Sequence, residues 1–379
     1  MRIALLAPLV SPIAPPYLGG AQALLADLAS GLAGRGHSVT LYAADGSAVS
    51  GVNTPLLGID SSLLKPSRFS ANSAPEDEAQ SESGDWVQSD PDAYLSDYAF
   101  LRAYRAIAAD ATSHDLVHAH AYDVPAFTYS SIQPLPVTHT LHLPAQDAGI
   151  QEVLAELAPP HSTSPTRLVT VSHACAAGYA PFCRIDSVIY NGLPIDQIPY
   201  CERPAANHYL LYAGRISPEK GVEDALEIAH GAAIHLILAG GVYDQEYYND
   251  RISPWLDRHP GTCTYLGALP RQDLWDLMGG AEALLVPSQW DEPFGLVAAE
   301  AQATGTPVVG YARGGLGEVI ADGETGWLVA PGDTAAAVDA VSRVRRLNRA
   351  ACRARVQENF SLDAMLDAYL AWYSRILED

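Results

Sequence analysis

Two carboxylates eight positions apart, Glu292 and Glu300, bracket the stretch Asp291-Glu292-Pro293-Phe294-Gly295-Leu296-Val297-Ala298-Ala299-Glu300. The apolar run over 283–287 before it reads as a buried parallel strand, and the Ala-rich run over 296–303 reads as a helix. Glu292 therefore falls in the strand-to-helix turn. The free backbone N–H groups of Phe294, Gly295, Leu296 and Val297 at the helix start form an anion site, to which the helix dipole adds roughly half a positive charge. A phosphate can rest there. Glu300 lies on the order of 9–12 Å further along at about 1.5 Å per residue, near the distance from a pyrophosphate's outer sugar to its ribose. Glu292 is placed to accept from sugar hydroxyls and Glu300 from ribose hydroxyls.

Three more groups of residues carry chemistry. Gly214-Arg215-Ile216-Ser217-Pro218-Glu219-Lys220-Gly221 ends a strand and opens a helix; the planar fork of Arg215 suits phosphate oxygens and Lys220 adds a point charge. Gly19-Gly20-Ala21-Gln22 follows the first strand without the Gly-x-Gly-x-x-Gly of dinucleotide folds, which disfavours a nicotinamide cofactor. Glycine at position 20 lets the backbone approach a ligand closely. In Thr138-His139-Thr140-Leu141-His142 the two histidines point to opposite faces of a strand. His142 comes last, at the carboxyl edge where such sheets bind ligands, whereas His139 is mid-strand and structural.

The segment Pro287-Ser288-Gln289-Trp290-Asp291-Glu292-Pro293-Phe294-Gly295-Leu296, continued by Gly305-Thr306-Pro307-Val308-Val309, resembles the Glu-x7-Glu signature of the retaining glycosyltransferases of family 4, which have the GT-B fold. The resemblance extends over nearly the whole chain. It implies that Arg215 and Lys220 bind the donor pyrophosphate and neutralise the leaving nucleoside diphosphate. Gly20 would face the donor phosphates, His142 would contact the transferred sugar, and backbone groups near Leu269 would hold the base. Family members that take guanine often carry an acidic side chain near that turn. Here Arg271 offers only donors, which suits the carbonyls of uracil and favours UDP over GDP. His118 and His120 resemble the family's Asp-x-Val-His-x-His strand and are expected to pack or bond within the first domain.

The function implied is retaining transfer of a hexose from a UDP-sugar to a soluble small-molecule or glycan acceptor. No metal or other cofactor is expected, because Arg215, Lys220 and the helix start at 294–297 supply the positive charge. Family precedent is front-face substitution in which the leaving phosphate takes the acceptor's proton. The catalytic set is then Glu292, His142, Arg215 and Lys220. A GT-B nucleotide-sugar epimerase and a non-catalytic nucleotide-sugar-binding module are the alternative readings.

Elements that would position these residues alternate strand and helix throughout, the pattern of doubly wound parallel sheets. The fold class expected is α/β, with two Rossmann-like domains of the GT-B type facing a cleft. Strands are predicted over 2–9, 38–44, 116–120, 137–142, 167–172 and 187–191, then over 209–214, 234–239, 263–267, 283–287 and 307–310. Helices are predicted over 21–33, 92–112, 124–130 and 174–181, then over 222–229, 246–256, 272–278 and 297–303. Asn191-Gly192-Leu193-Pro194 marks the boundary between an acceptor-binding domain, 1–195, and a donor-binding domain, 196–360. Apolar residues at helical spacing over 362–377 predict a terminal helix within 361–379 that crosses back to the first domain.

With 379 residues and 48% hydrophobic content, the chain is long enough for two cores. A net charge of −22 argues against nucleic acid and against docking on anionic membranes. The first apolar run is too short to span a bilayer. Five cysteines without Cys-x-x-Cys suggest reduced thiols in a cytoplasmic protein. An acidic loop is expected over 65–92; its Asp90-Pro91-Asp92 imitates an Asp-x-Asp metal motif, but the proline and the lack of a preceding strand argue against a metal role.

Overall fold

In the computed structural model, residues 1–15, 17, 20–64, 91–161 and 165–378 are described. Most of the expected acidic loop, with Asp90, lies outside the described residues, as does Gly19; Pro91 opens a helix. The first domain runs β1 (Arg2–Leu6), α1 (Gly20–Gly34), β2 (Ser38–Tyr42), α2 (Pro91–Ala109), β3 (Leu116–Ala119), α3 (Val124–Ser130), β4 (Val137–Leu141), α4 (Ala148–Leu157), β5 (Arg167–Thr170), α5 (His173–Tyr179) and β6 (Ser187–Val188). Its sheet is ordered β2-β1-β3-β4-β5-β6, and every pairing is parallel.

The second domain begins with β7 (Tyr209–Ala213), α6 (Val222–Gly231), β8 (His235–Ala239), α7 (Gln245–Tyr247), α8 (Ser253–Arg258), β9 (Cys263–Gly267) and α9 (Arg271–Gly280). It continues with β10 (Ala283–Val286), α10 (Leu296–Ala303), β11 (Val308–Tyr311), α11 (Leu316–Val319), β12 (Gly326–Val329), α12 (Thr334–Arg343), α13 (Arg349–Asn359) and α14 (Leu362–Glu378). The sheet order is β12-β11-β10-β7-β8-β9, again all parallel. Every residue of β7 and β10 is buried, as a parallel sheet covered by helices on both faces requires. The order reverses between β7 and β10. In open α/β sheets ligands bind at the carboxyl ends of the strands flanking such a switch point.

Strands of the first domain end one to three residues earlier than the sequence predicts. The reason is that burial outlasts the ladder: Leu9, Val171 and Ser172 remain within 1% exposure after pairing has stopped. Helix α4 is absent from the sequence reading, although Asp147 caps it by accepting from Ile150 N at 2.9 Å. The helix predicted over 246–256 is instead α7 and α8 joined by a π turn over Tyr248–Ile252.

The chain crosses between domains twice, and the two crossings lie side by side: Leu193 N donates to Phe360 O at 2.9 Å and Leu362 N to Leu193 O at 2.7 Å. Past this point α14 leaves the second domain. Its Met365, Leu366, Tyr369, Trp372, Tyr373 and Ile376 are buried in one cluster with Leu24, Leu28 and Leu32 of α1, and Arg35 pairs with Asp363 and Asp367. Among the described residues no helix is long and apolar enough to cross a membrane.

Candidate functional site

At the β7–β10 switch point the two chemistry-bearing turns meet. Gly221 has φ 69°, and a side chain there would collide with the Pro287 carbonyl, so the Lys220 turn seats directly on the end of β10. The Glu292 turn is fixed from behind, where Gly315 N donates to Glu292 O at 2.6 Å. These contacts bring Lys220 Nζ to 3.1 and 2.9 Å from the two Glu292 oxygens. Ser288 Oγ at 3.1 Å and Trp290 Nε1 at 2.8 Å also donate to Glu292, and the ammonium lies 4.4 Å over the Trp290 ring. Burial pushes the Glu292 carboxyl up. The Lys220 charge and the three donors outweigh this and hold it below its ordinary 4.5.

Arg215 is more open, at 41% exposure, with a 3.2 Å pair to Glu219 and its guanidinium 4.5 Å over the Tyr243 ring. Each of these two cations therefore already has a carboxylate partner, Glu292 or Glu219. Beside them, the N–H groups of Phe294, Gly295, Leu296 and Val297 donate to no acceptor among the described residues. They leave the start of α10 open to an anion. Gly20, at the N-terminus of α1, abuts this helix start: a Cβ there would lie 2.7 Å from Leu296 Cδ2.

Glu300 sits in the second turn of α10 and is 8% exposed. It accepts from Arg271 Nε at 3.3 Å and Trp275 Nε1 at 3.1 Å. Burial raises its carboxyl above the ordinary range against the pull of Arg271 and Trp275, with Asp27 adding to the rise. Arg271 is not the free donor that the sequence suggests for a base, because its other arm reaches Asp27 of α1 at 2.7 Å across the cleft. Leu269, just before α9, is partly buried against the core beneath α10.

His142 stands one residue beyond β4, partly buried, and burial lowers its imidazole to about 4. Its Nε2 is 2.9 Å from His120 Nδ1, and it makes no bond to the second domain among the described residues. His139 is fully buried on Ser130 Oγ at 2.9 Å and is lowered to about 3. His118 and His120 are buried and bonded, also held far below the usual imidazole range by burial. All four rings are therefore neutral at pH 7.

Sequence reasoning misses the residues that close the domains together. Glu318 of α11 caps the start of α5 by accepting from His173 N at 2.9 Å and Ala174 N at 2.8 Å, and Tyr190 OH donates to it at 2.8 Å. Ser172 Oγ donates to Pro293 O beside the Glu292 turn. Asp27 is the third such contact. Glu318 had one local signal, its place just past Gly314-Gly315 at a strand end; Asp27, within an apolar helix, had only its charge.

Comparison with known proteins follows the two-domain division. The family model described as Glycosyltransferase Family 4 matches residues 18–197, and the one described as Glycosyl transferases group 1 matches 202–359. A glycogen synthase of Mycobacterium tuberculosis (strain H37Rv) is 34% identical over 256 residues, 61% of this chain and 60% of the relative. A D-inositol 3-phosphate glycosyltransferase of Mycobacterium leprae (strain TN) is 35% identical over 199 residues, 50% of this chain and 44% of the relative. The matched region thus spans 60% or less of these relatives' length. Among solved structures, sucrose-phosphate synthase from Thermosynechococcus elongatus aligns over 100% of both chains with a TM-score of 0.77 at 21% identity. Anabaena Alr3699/HepE in complex with UDP-glucose covers 99% of this chain and 100% of its own, with a TM-score of 0.69 at 19% identity. At these identities the likeness shows the fold, the two-domain GT-B arrangement.

Proposed function

Given that the chain belongs to the group 1, family 4 glycosyltransferases, we propose that it transfers a hexose from a nucleotide sugar, UDP-linked, to a soluble small-molecule or glycan acceptor with retention at the anomeric carbon. The observation that carries this reading is the Lys220–Glu292 pair at the switch point beneath the open start of α10. A cation and free N–H groups for a diphosphate stand directly beside a carboxylate for sugar hydroxyls. Arg215 extends the cationic surface, and Glu300 lies along the same helix on the side where a ribose would follow. The second domain would then hold the donor, while His142 in the first faces the transferred sugar and the acceptor.

Positive charge against the departing diphosphate comes from Lys220, Arg215 and the α10 start, so no divalent ion is invoked. The departing phosphate accepts the acceptor's hydroxyl proton as the new glycosidic bond forms on the same face. Uracil suits a turn, Leu269 to Gln272, that carries a donor-only arginine and no carboxylate of its own; a structural neighbour captured with UDP-glucose says only what this fold can hold. The test is a panel of UDP-, GDP- and ADP-sugars, read by thermal shift and by nucleotide release with and without acceptor mixtures. Stabilisation by UDP-sugars with acceptor-dependent UDP release is expected. An epimerised donor without UDP release, or binding without turnover under every acceptor, would overturn the reading.

A further inference from the structure

We propose that Tyr373, on the C-terminal helix α14, is a positioning residue for His142: acting through His118 and His120, it selects the tautomer in which His142 carries its proton on Nε2 and keeps Nδ1 as a free acceptor. This rests on the reading of His142 as the residue facing the transferred sugar.

The relay is continuous. Tyr373 OH is 2.6 Å from His118 Nδ1, His118 Nδ1 is 3.3 Å from His120 Nε2, and His120 Nδ1 is 2.9 Å from His142 Nε2. On its other side His118 Nε2 is 2.7 Å from Thr140 Oγ1, which is 3.0 Å from Tyr369 OH. Tyr373, Tyr369 and His118 are within 1% exposure and His120 is 5% exposed, so each polar atom must find its partner inside this group.

Donor strength and proton counting together decide the order. A neutral imidazole has one N–H and one acceptor nitrogen. A phenol O–H is a stronger donor than an imidazole N–H, and an imidazole nitrogen a stronger acceptor than a phenol oxygen, so in the 2.6 Å contact Tyr373 O–H donates to His118 Nδ1. His120 meets the same nitrogen at the longer 3.3 Å with Nε2–H, because a bare Nε2 there would set two lone pairs against each other. His118 Nε2–H then donates to Thr140 Oγ1, whose second lone pair accepts from Tyr369 O–H. With its proton on Nε2, His120 accepts at Nδ1, and His142 Nε2–H is the donor that reaches it. His142 Nδ1 is left as the acceptor, and it has no partner among the described residues while not being sealed from solvent. Desolvation, which keeps all three rings neutral, preserves this count at pH 7.

The consequence is that a residue on the helix returning from the second domain sets how His142 meets a hydroxyl in the cleft. The test uses the full chain with 15N-labelled histidine and reads two-bond proton–nitrogen correlations of the rings, with His142 assigned by its loss in His142→Gln. Wild type should show a proton-bearing Nε2 and a bare Nδ1 at His142. In Tyr373→Phe, which keeps the packing and deletes the donor, the His142 tautomer ratio should move by about fivefold, the weight of one neutral hydrogen bond. Tyr369→Phe, which keeps the ring contact with His118 and deletes a hydroxyl bonded to Thr140 rather than to an imidazole nitrogen, should leave the ratio in place. In donor turnover Tyr373→Phe should lower kcat several-fold with KM little changed. A bare Nε2 in wild type, an unmoved ratio in Tyr373→Phe, or an equal movement in Tyr369→Phe would each overturn the proposal. The tautomer is read without turnover, and loss of transfer in His142→Ala reads the role of His142 without the relay, so the two readings fail separately.

Discussion

Replacing Glu292 by Gln keeps the shape of the site and removes one charge, and the structure gives opposite expectations for stability and for nucleotide affinity. The carboxylate is 14% exposed and its Lys220 partner 18%, with both oxygens within 3.1 Å of Nζ. Breaking a fully buried pair costs about 3–5 kcal/mol; water access to Lys220 and the remaining amide carbonyl reduce this to about 1–3 kcal/mol. Because the folded carboxyl lies below its ordinary 4.5, this stabilisation is complete above that value and is lost as pH falls through the folded pKa. Wild type and Glu292→Gln should therefore differ in urea midpoint at pH 7 and converge once the pH has fallen below the folded pKa of Glu292. For UDP the sign reverses. In wild type an arriving diphosphate shares Lys220 with Glu292; in the variant it has the ammonium to itself, a gain of about 1 kcal/mol or roughly fivefold in Kd. Lys220→Ala should instead weaken UDP by about 10- to 100-fold, the loss of one or two charge-assisted bonds. Calorimetric titration of both variants at pH 7 decides it, and equal weakening of UDP in the two would refute the argument that Glu292 and the diphosphate compete for Lys220.

Arg271→Ala removes the partner of both Asp27 and Glu300, so it should destabilise the protein by about 1–3 kcal/mol and increase the radius of gyration in small-angle scattering as the domains loosen. An unchanged scattering profile would count against this contact as a domain clasp. Transfer should persist in excess EDTA and be indifferent to Asp90→Ala with Asp92→Ala; loss of activity restored by magnesium or manganese would contradict the electrostatics assigned to Lys220, Arg215 and α10. Burial, with Asp147 nearby, raises Asp123 from 3.8 to about 6, so its charge opposes folding at pH 7 and that cost fades as pH drops through 6. At 1.36 kcal/mol per pH unit the rise is worth up to about 3 kcal/mol, and Asp123→Asn should stabilise at pH 7 but hardly at pH 4, as read by denaturant melts.

What was legible in the sequence was whatever fits inside one strand–turn–helix unit. Arg215 and Lys220 share the turn after β7, and Glu292 and Glu300 share the turn and helix after β10, its neighbour in the sheet, so spacing and turn chemistry suffice to single them out. The alternation of strands and helices was readable for the same reason. Partly buried β12, at the sheet edge, offers only four residues, Gly-Trp-Leu-Val, with no alternation to distinguish it from loop. Nothing local announces contacts made across the fold: Asp27 meets Arg271 over 244 positions and Tyr373 meets His118 over 255. A motif fixes residue type and local direction, but the partner that sets charge or tautomer arrives from elsewhere.

Those distant partners change what the motif residues mean energetically. Lys220, Arg215 and Arg271 look like free cations in sequence, and each is already paired, with Glu292, Glu219, and both Asp27 and Glu300. A diphosphate entering this cleft gains only the difference between its own bonds and those it displaces, so affinity here is set as much by the carboxylates as by the cations. Displacement also has a direction. Any anion that draws Lys220 away from Glu292 leaves that carboxylate with Ser288 and Trp290 as its remaining donors and with oxygen lone pairs to spare for a hydroxyl. Binding at the phosphate end thereby prepares the acceptor at the sugar end, which is why the affinity of Glu292→Gln for UDP alone and its turnover of a UDP-sugar should move in opposite directions.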